Sequence, residues 1–263
     1  MKVGNLKLLD INVSYYYNDN LDTPSAITLI LLHGGTLNKE SMLPLGNLLL
    51  NHNIIIPDLK SHGDSSGENC LSVEEHTDFI EQFLEELSLR KMLTEKVVIV
   101  GYCLSGVISL ELGRRNNHLV NGIIALSSSA KLSKESAIHD ALNGYSADSF
   151  NYLQVFRTGK PHLQVLSDRH LEIIKTLEPH DICYQDLHCV RIYDRESEMS
   201  NIKVPTLLIS GDSDVTVPLH CTMNLRNIIP NSVLKVIPFV GHALLFTSLN
   251  EVAETINTFA EKL

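Results

Sequence analysis

The chain has 263 residues, 44% of them hydrophobic and 20% charged, with a formal net charge of −10. That length and composition suit one large α/β core with room for an inserted subdomain. The acidic balance excludes the basic footprint of a nucleic-acid binder, offers nothing to an anionic membrane, and no run approaches the ~20 apolar residues of a membrane span.

At the N-terminus, Met1-Lys-Val-Gly-Asn-Leu-Lys7 has no apolar core of signal-peptide type. The expectation is therefore a cytoplasmic protein. Cysteines stand at 70, 103, 183, 189 and 221. An odd count at scattered spacing suits reduced thiols and not a disulfide framework. The sequence contains no internal repeat and no low-complexity tract.

Leu6–Leu9 and Ile11–Tyr17 read as an opening antiparallel pair. Ala26–Leu32 is a short continuous apolar run, as a buried strand requires. The glycine turn His33-Gly34-Gly35-Thr36 follows it. Ser41–Leu50 reads as a helix and Ile54–Pro57 as a strand, followed by Asp58-Leu-Lys-Ser-His62-Gly63-Asp-Ser65. Ser72-Val-Glu-Glu75 is a capping box, so a helix starts at Ser72 and runs to about Arg90.

Val97–Val100 is the next strand, and an apolar helical stretch, Val107–Leu112, follows closely. Between them lies Gly101-Tyr102-Cys103-Leu104-Ser105, a potential nucleophile with small residues two positions to either side. A sharp strand-to-helix turn needs that pattern, because its central residue adopts strained backbone and only small flanks avoid a clash. A thiol placed there lies at a helix N-terminus, where the dipole and free N–H groups favour the thiolate. Ser105 as nucleophile would need small residues at 103 and 107, and 107 is valine.

Val120–Leu126 is a further strand. From Lys131 to Lys203 the β/α rhythm stops and helical patterns take over, Phe150–Phe156 and Asp168–Leu177 among them. His180, Cys183, His188 and Cys189 fall here at no zinc-site spacing, so they read as packing or surface residues with no metal. Strands resume at Val204–Ser210 and Val233–Ile237, and Leu249–Ala260 closes the chain as a helix. Such alternation implies a mostly parallel sheet with helices on both faces.

Together these segments resemble the α/β-hydrolase superfamily, with Cys103 in the nucleophile elbow where serine is usual. Cysteine in the elbow is similar to dienelactone hydrolases and polyhydroxyalkanoate synthases, whose elbows read Gly-x-Cys-x-Gly; Ser105 departs from that pattern. The resemblance implies an α/β-hydrolase core of residues 1–130 and 204–263, with a helical cap at 131–203 lying over the C-terminal edge of the sheet. It implies His242, in Pro238-Phe-Val-Gly-His242, as the base. It implies Asp214, three residues after Gly211, as the acid, with Asp212 the rival; the alternative acid position, Ser127-Ser-Ser-Ala-Lys131, holds no carboxylate. The backbone N–H groups of Gly35 and Leu104 would form the oxyanion hole. The Asp58–Ser65 loop resembles a family segment of structural role, so His62 receives no chemistry.

The function implied is hydrolysis of a carboxylic ester or thioester through a Cys103 acyl-enzyme, with no cofactor. The partner would be a small-molecule acyl substrate, free or carrier-bound. An acyltransferase or a chain-releasing, cyclising thioesterase would use the same intermediate, and which acceptor wins depends on water exclusion. A ligand-binding member without chemistry is the third reading. Adduct lifetime with and without amine or alcohol acceptors separates the first two, and absence of any adduct favours the third.

Overall fold

The strands predicted from short apolar runs form a single sheet in the protein, here a computed structural model describing residues 1–21, 27–143 and 180–263. Strands β3 (Thr28–Leu32), β4 (Asn53–Pro57), β5 (Val97–Tyr102), β6 (Gly122–Leu126) and β7 (Thr206–Gly211) are buried at every residue. This explains their unbroken Val/Ile/Leu runs, since a strand covered on both faces has no polar side. The hairpin β1 (Lys2–Leu8) and β2 (Ile11–Tyr17) flanks one edge, and β8 (Ser232–Ile237) forms the other.

The order is β1-β2-β4-β3-β5-β6-β7-β8. β1 and β2 pair antiparallel, as do β2 and β4, and every other pairing is parallel. From β3 the chain goes one way to β4 and then crosses back to β5. The topological switch point therefore lies between β3 and β5, where open α/β sheets leave a crevice at the strands' carboxyl ends. Leu32 pairs with Gly101 at that end, so the loop after β3 meets the turn after β5.

Helices cover the sheet. In α2 (Val73–Leu89) the Ser72 hydroxyl accepts from the Glu75 amide, while the Glu75 carboxylate accepts from the Leu71 amide. This is the capping box with its return bond displaced by one residue. α2 packs on α3 (Leu104–Arg114), which leaves the turn after β5. The closing helix, Leu249–Ala260, buries Val252, Ala253, Ile256 and Ala260, a stripe at helical spacing.

Two segments depart from expectation. Ser41–Leu50 is not one helix. A 3₁₀ turn, Lys39–Met42, is capped by the Asn38 side chain, and a short helix α1 (Leu43–Leu48) follows. Pro44 has no N–H to carry the preceding turn's hydrogen bonds onward, so the helix restarts there. Within 131–203, the described residues form α4 (Ala137–Leu142), α5 (His180–Ile192) and a 3₁₀ turn at Glu196–Asn201. They add no strand to the sheet. An isolated bridge joins Lys131 to Asp194, and the two side chains form an ion pair at 2.6 Å. The helices expected at Phe150–Phe156 and Asp168–Leu177 lie outside the described residues. Among the described residues no helix is long and apolar enough to cross a membrane.

The loops after β3 and β4 are locked by a buried cation. Lys39 Nζ donates to Asp58 Oδ2 and Asp64 Oδ2, each at 2.6 Å. The Lys39 and Asp64 amides also donate to the Asp58 carboxylate, at 2.7 and 2.9 Å. Burial disfavours the Lys39 charge, yet the two carboxylates outweigh it and hold its pKa above the ordinary lysine value. Gly63 sits at φ +52, and a Cβ there would come within 2.5 Å of the Asp58 carboxylate, so this turn admits only glycine. Removing one partner of a buried pair leaves the other charge uncompensated. Asp58→Ala should therefore lower unfolding stability by about 3–5 kcal/mol, read as a reduced urea midpoint at unchanged slope.

Candidate active site

Cys103 stands between β5 and α3 with φ 54 and ψ −114, a left-handed backbone that L-residues rarely adopt. The flanking residues explain how the chain accepts it. A Cβ on Gly101 would lie 2.0 Å from the Ser105 carbonyl oxygen, and one on Gly106 would lie 1.9 Å from Ser128 Oγ. Gly106, not singled out in the sequence reading, is thus as tightly required as Gly101. Ser128 Oγ donates to the Cys103 carbonyl at 2.8 Å, fixing the far side of the turn. The Ser105 hydroxyl is buried and donates to the His33 carbonyl, which removes it as a rival nucleophile.

His242 and Asp214 come from the loops after β8 and β7. His242 Nδ1 meets Asp214 Oδ2 at 2.9 Å, with both side chains buried. Asp214 Oδ1 accepts the Thr216 and Val217 amides at 2.8 and 2.9 Å, so the carboxylate is fixed before it orients the ring. Asp212 is turned elsewhere. It accepts from the Ser213 hydroxyl and the Phe239 amide, at 2.6 and 2.8 Å, and pins the loop that carries His242. The Tyr102 hydroxyl donates to the His242 carbonyl at 2.9 Å, and the two rings lie 5.4 Å apart.

The imidazole's charge is set by competing effects. Burial disfavours its proton, but the Asp214 carboxylate, the Cys103 sulfur and hydrogen bonds to both outweigh burial and raise its pKa to about 10.

Leu104 is the first residue of α3, so its N–H has no acceptor within the helix. Gly34 and Gly35 lie alongside. A Cβ on Gly34 would come within 3.4 Å of the Cys103 Cβ and 2.9 Å of the Tyr102 ring. The loop is braced by His33, whose Nδ1 meets the Gly34 carbonyl at 2.9 Å and whose Nε2 accepts the Leu59 amide at 3.0 Å. Burial drives the His33 pKa down to about 3, so this histidine stays neutral. Accepting through Nε2 assigns the ring proton to Nδ1.

His62, expected to be structural, and two residues outside the sequence expectations, His76 and Asp186, converge on the same loop. Asp186 of α5 accepts the Thr36 amide at 2.9 Å and meets His62 Nε2 at 2.9 Å, with His76 Nε2 3.8 Å from its other oxygen. Nothing in the spacing of 36, 62, 76 and 186 points to this cluster; only the folded chain brings them together. Of the neighbouring residues of α5, Cys183 and Cys189 are buried, while half-buried His188 accepts from Arg191 at 3.0 Å and stacks on Tyr184.

A histidine pKa raised from its ordinary value to about 10 stabilises the fold fully below pH ~6.5 and loses that contribution as pH rises through 10. The melting-temperature advantage of the protein over His242→Gln should therefore be largest near pH 6 and shrink steadily towards pH 10, measured by thermal unfolding at each pH.

The family described as the α/β hydrolase fold matches residues 27–249. Lipase 1 of Psychrobacter immobilis is 24% identical over 88% of this chain and 76% of its own length. A lipase-esterase related protein from Clostridium acetobutylicum ATCC 824 superimposes with a TM-score of 0.83 at 24% identity, covering 94% of this chain and 99% of that one. The enol-lactonase from Burkholderia xenovorans LB400 superimposes with a TM-score of 0.79 at 14% identity, covering 97% and 99%. With the match running through every strand from β3 to β8, the chain belongs to the α/β hydrolase fold family.

Proposed function

We propose that the protein is an acyl hydrolase acting on carboxylic esters or thioesters through a covalent intermediate on Cys103. The observation that supports this reading is the buried His242 ring oriented by Asp214 at 2.9 Å, at the carboxyl edge of the sheet where Cys103 heads α3 and its sulfur raises the ring's proton affinity. The names of its relatives, a lipase and an enol-lactonase, support ester chemistry.

His242, with its raised proton affinity, accepts the proton of the Cys103 thiol. The thiolate attacks the acyl carbon, a C–S bond forms, and the carbonyl electron pair moves to oxygen. The N–H groups of Leu104 and Gly35 receive that oxyanion. Collapse breaks the bond to the leaving alcohol or thiol, which takes the proton from His242. The imidazole, now neutral, accepts a proton from water as the water attacks the thioester. A second collapse returns the thiolate and releases the acid, leaving the imidazolium restored. Asp214 holds the ring through both steps and stabilises its charge. The described residues of the expected cap, 131–143 and 180–203, would then flank the site from α5, and the acyl substrate, free or carrier-bound, would enter beside them; residues 144–179 lie outside the described residues. The reach of Asp186 from α5 to the loop after β3 supports that placement.

Intact-mass spectrometry after mixing with aryl esters and acyl thioesters should show one acyl adduct, mapping to Cys103. Cys103→Ala should lose the adduct and at least about 10³-fold in turnover. Turnover by Cys103→Ala equal to the parent's would overturn the reading. Cys103→Ser, whose hydroxyl does not ionise beside the imidazolium, should hydrolyse the same activated ester much more slowly than the parent. A faster serine variant would instead mark a site shaped for a hydroxyl.

A further inference from the structure

Thr36 is the residue of the glycine loop that its sequence explains least. It is β-branched, yet its φ is +71, a conformation such residues avoid. Backbone of this kind persists only where the surroundings over-determine it. Here the determinant is one carboxylate. Asp186 Oδ2 accepts the Thr36 amide at 2.9 Å, and the same oxygen meets His62 Nε2 at 2.9 Å. Asp186 and His62 are fully buried, as is His76, whose Nε2 lies 3.8 Å from Asp186 Oδ1. A Cβ on Gly35 would come within 2.9 Å of the Asp186 Cβ, so the side chain is packed directly on the residue proposed to donate to the oxyanion.

We propose that Asp186 is a positioning residue for acyl transfer: it holds Thr36 in its left-handed conformation and thereby aims the Gly35 N–H at the developing oxyanion. The inference rests on the acyl-hydrolase reading of this site. Gly35 and Thr36 share a peptide unit, so the Thr36 N–H and the Gly35 carbonyl lie in one plane. The Gly35 N–H itself lies in the preceding peptide unit, whose Gly34 carbonyl is held by His33 Nδ1 at 2.9 Å and by the Leu37 amide at 3.2 Å. Fixing the Thr36 amide pins the plane on the other side, so the Gly35 hinge between them is held at both ends. A buried ion has the strength for this, because a hydrogen bond to a charged acceptor is about twice as strong as one between neutral groups. Burial disfavours the Asp186 charge, but His62, His76 and the Thr36 amide outweigh it and keep its pKa below the ordinary aspartate value. His62 thereby acquires a role: it anchors the carboxylate from the loop after β4. Because Asp186 belongs to α5, acyl transfer depends on that helix being seated.

The test separates positioning from general structural support. Asp186→Asn, chosen because it keeps the size of the buried side chain, and Thr36→Gly are made singly and together. Two rates are measured on Cys103: acylation by an aryl ester in the burst phase, which needs the oxyanion hole, and methylthiolation by methyl methanethiosulfonate, which does not. In Asp186→Asn, acylation should fall about 10- to 100-fold with KM little changed, while methylthiolation stays within about 2-fold of the parent. In the Thr36→Gly background, where no β-branched strain needs holding, the same Asp186→Asn change should cost less than about 3-fold. Unchanged acylation in Asp186→Asn would overturn the proposal. So would an equal fall in both rates, or a full penalty retained beside Gly at 36. Absence of any acyl adduct on Cys103 in the parent would instead sink the acyl-hydrolase reading, and this assignment with it.

Discussion

The architecture depends on one strained residue. Cys103 holds a left-handed backbone at cost of about 1–3 kcal/mol, and the reward is a thiol lifted to the edge of the sheet at the head of a helix. The strain is contained by bonds on every side. The Cys103 amide donates to the Leu126 carbonyl at 3.0 Å, and its own carbonyl accepts from Gly106, Val107 and Ser128. Two glycines supply the room. Were either to gain a side chain, the turn would have to open, and the thiol would leave the line of His242.

Around that point the sheet gathers loops that are distant in the chain. Those after β3, β7 and β8 supply the glycine loop, the carboxylate and the imidazole. The switch point between β3 and β5 decides where they meet. The same residue type then behaves in opposite ways a short distance apart. His33 is buried with hydrogen bonds to backbone alone and is held neutral, its pKa near 3; His242 is buried beside a carboxylate and a thiol and keeps its proton to about 10. Burial acts against charge in both. What differs is whether a negative group lies in contact, and that decides which of the two rings keeps its proton.

Much of this was legible in the sequence, for physical reasons. Strands buried on both faces leave continuous apolar runs, so β3 to β7 could be placed to within a few residues. The elbow was legible because Gly101 and Ser105 flank Cys103 at the spacing that a strained turn demands. The pairing of Asp214 with His242 was legible only through the family resemblance, because Asp212 follows the same strand end and local pattern alone does not choose between them. Other features leave no local trace. Pro44 splits a stretch whose periodicity reads as one helix. The Lys39–Asp58–Asp64 cluster joins two loops that look like ordinary polar turns. Asp186 looks like a surface acid on an amphipathic helix, and its burial depends wholly on where α5 comes to rest. Gly106 reads as a weak helix residue until Ser128 is seen against it.

The contact between Thr36 and Asp186 spans 150 positions along the chain. A polypeptide is made from its N-terminus, so the glycine loop and the thiol exist well before their partners. Until residue 186 arrives the loop has no brace, and until residue 242 arrives the sulfur has no imidazole. The growing chain therefore carries a cysteine without the groups that would activate it. Under the proposed mechanism, reactivity at residue 103 therefore reports that two distant segments, around residues 186 and 242, have folded into place.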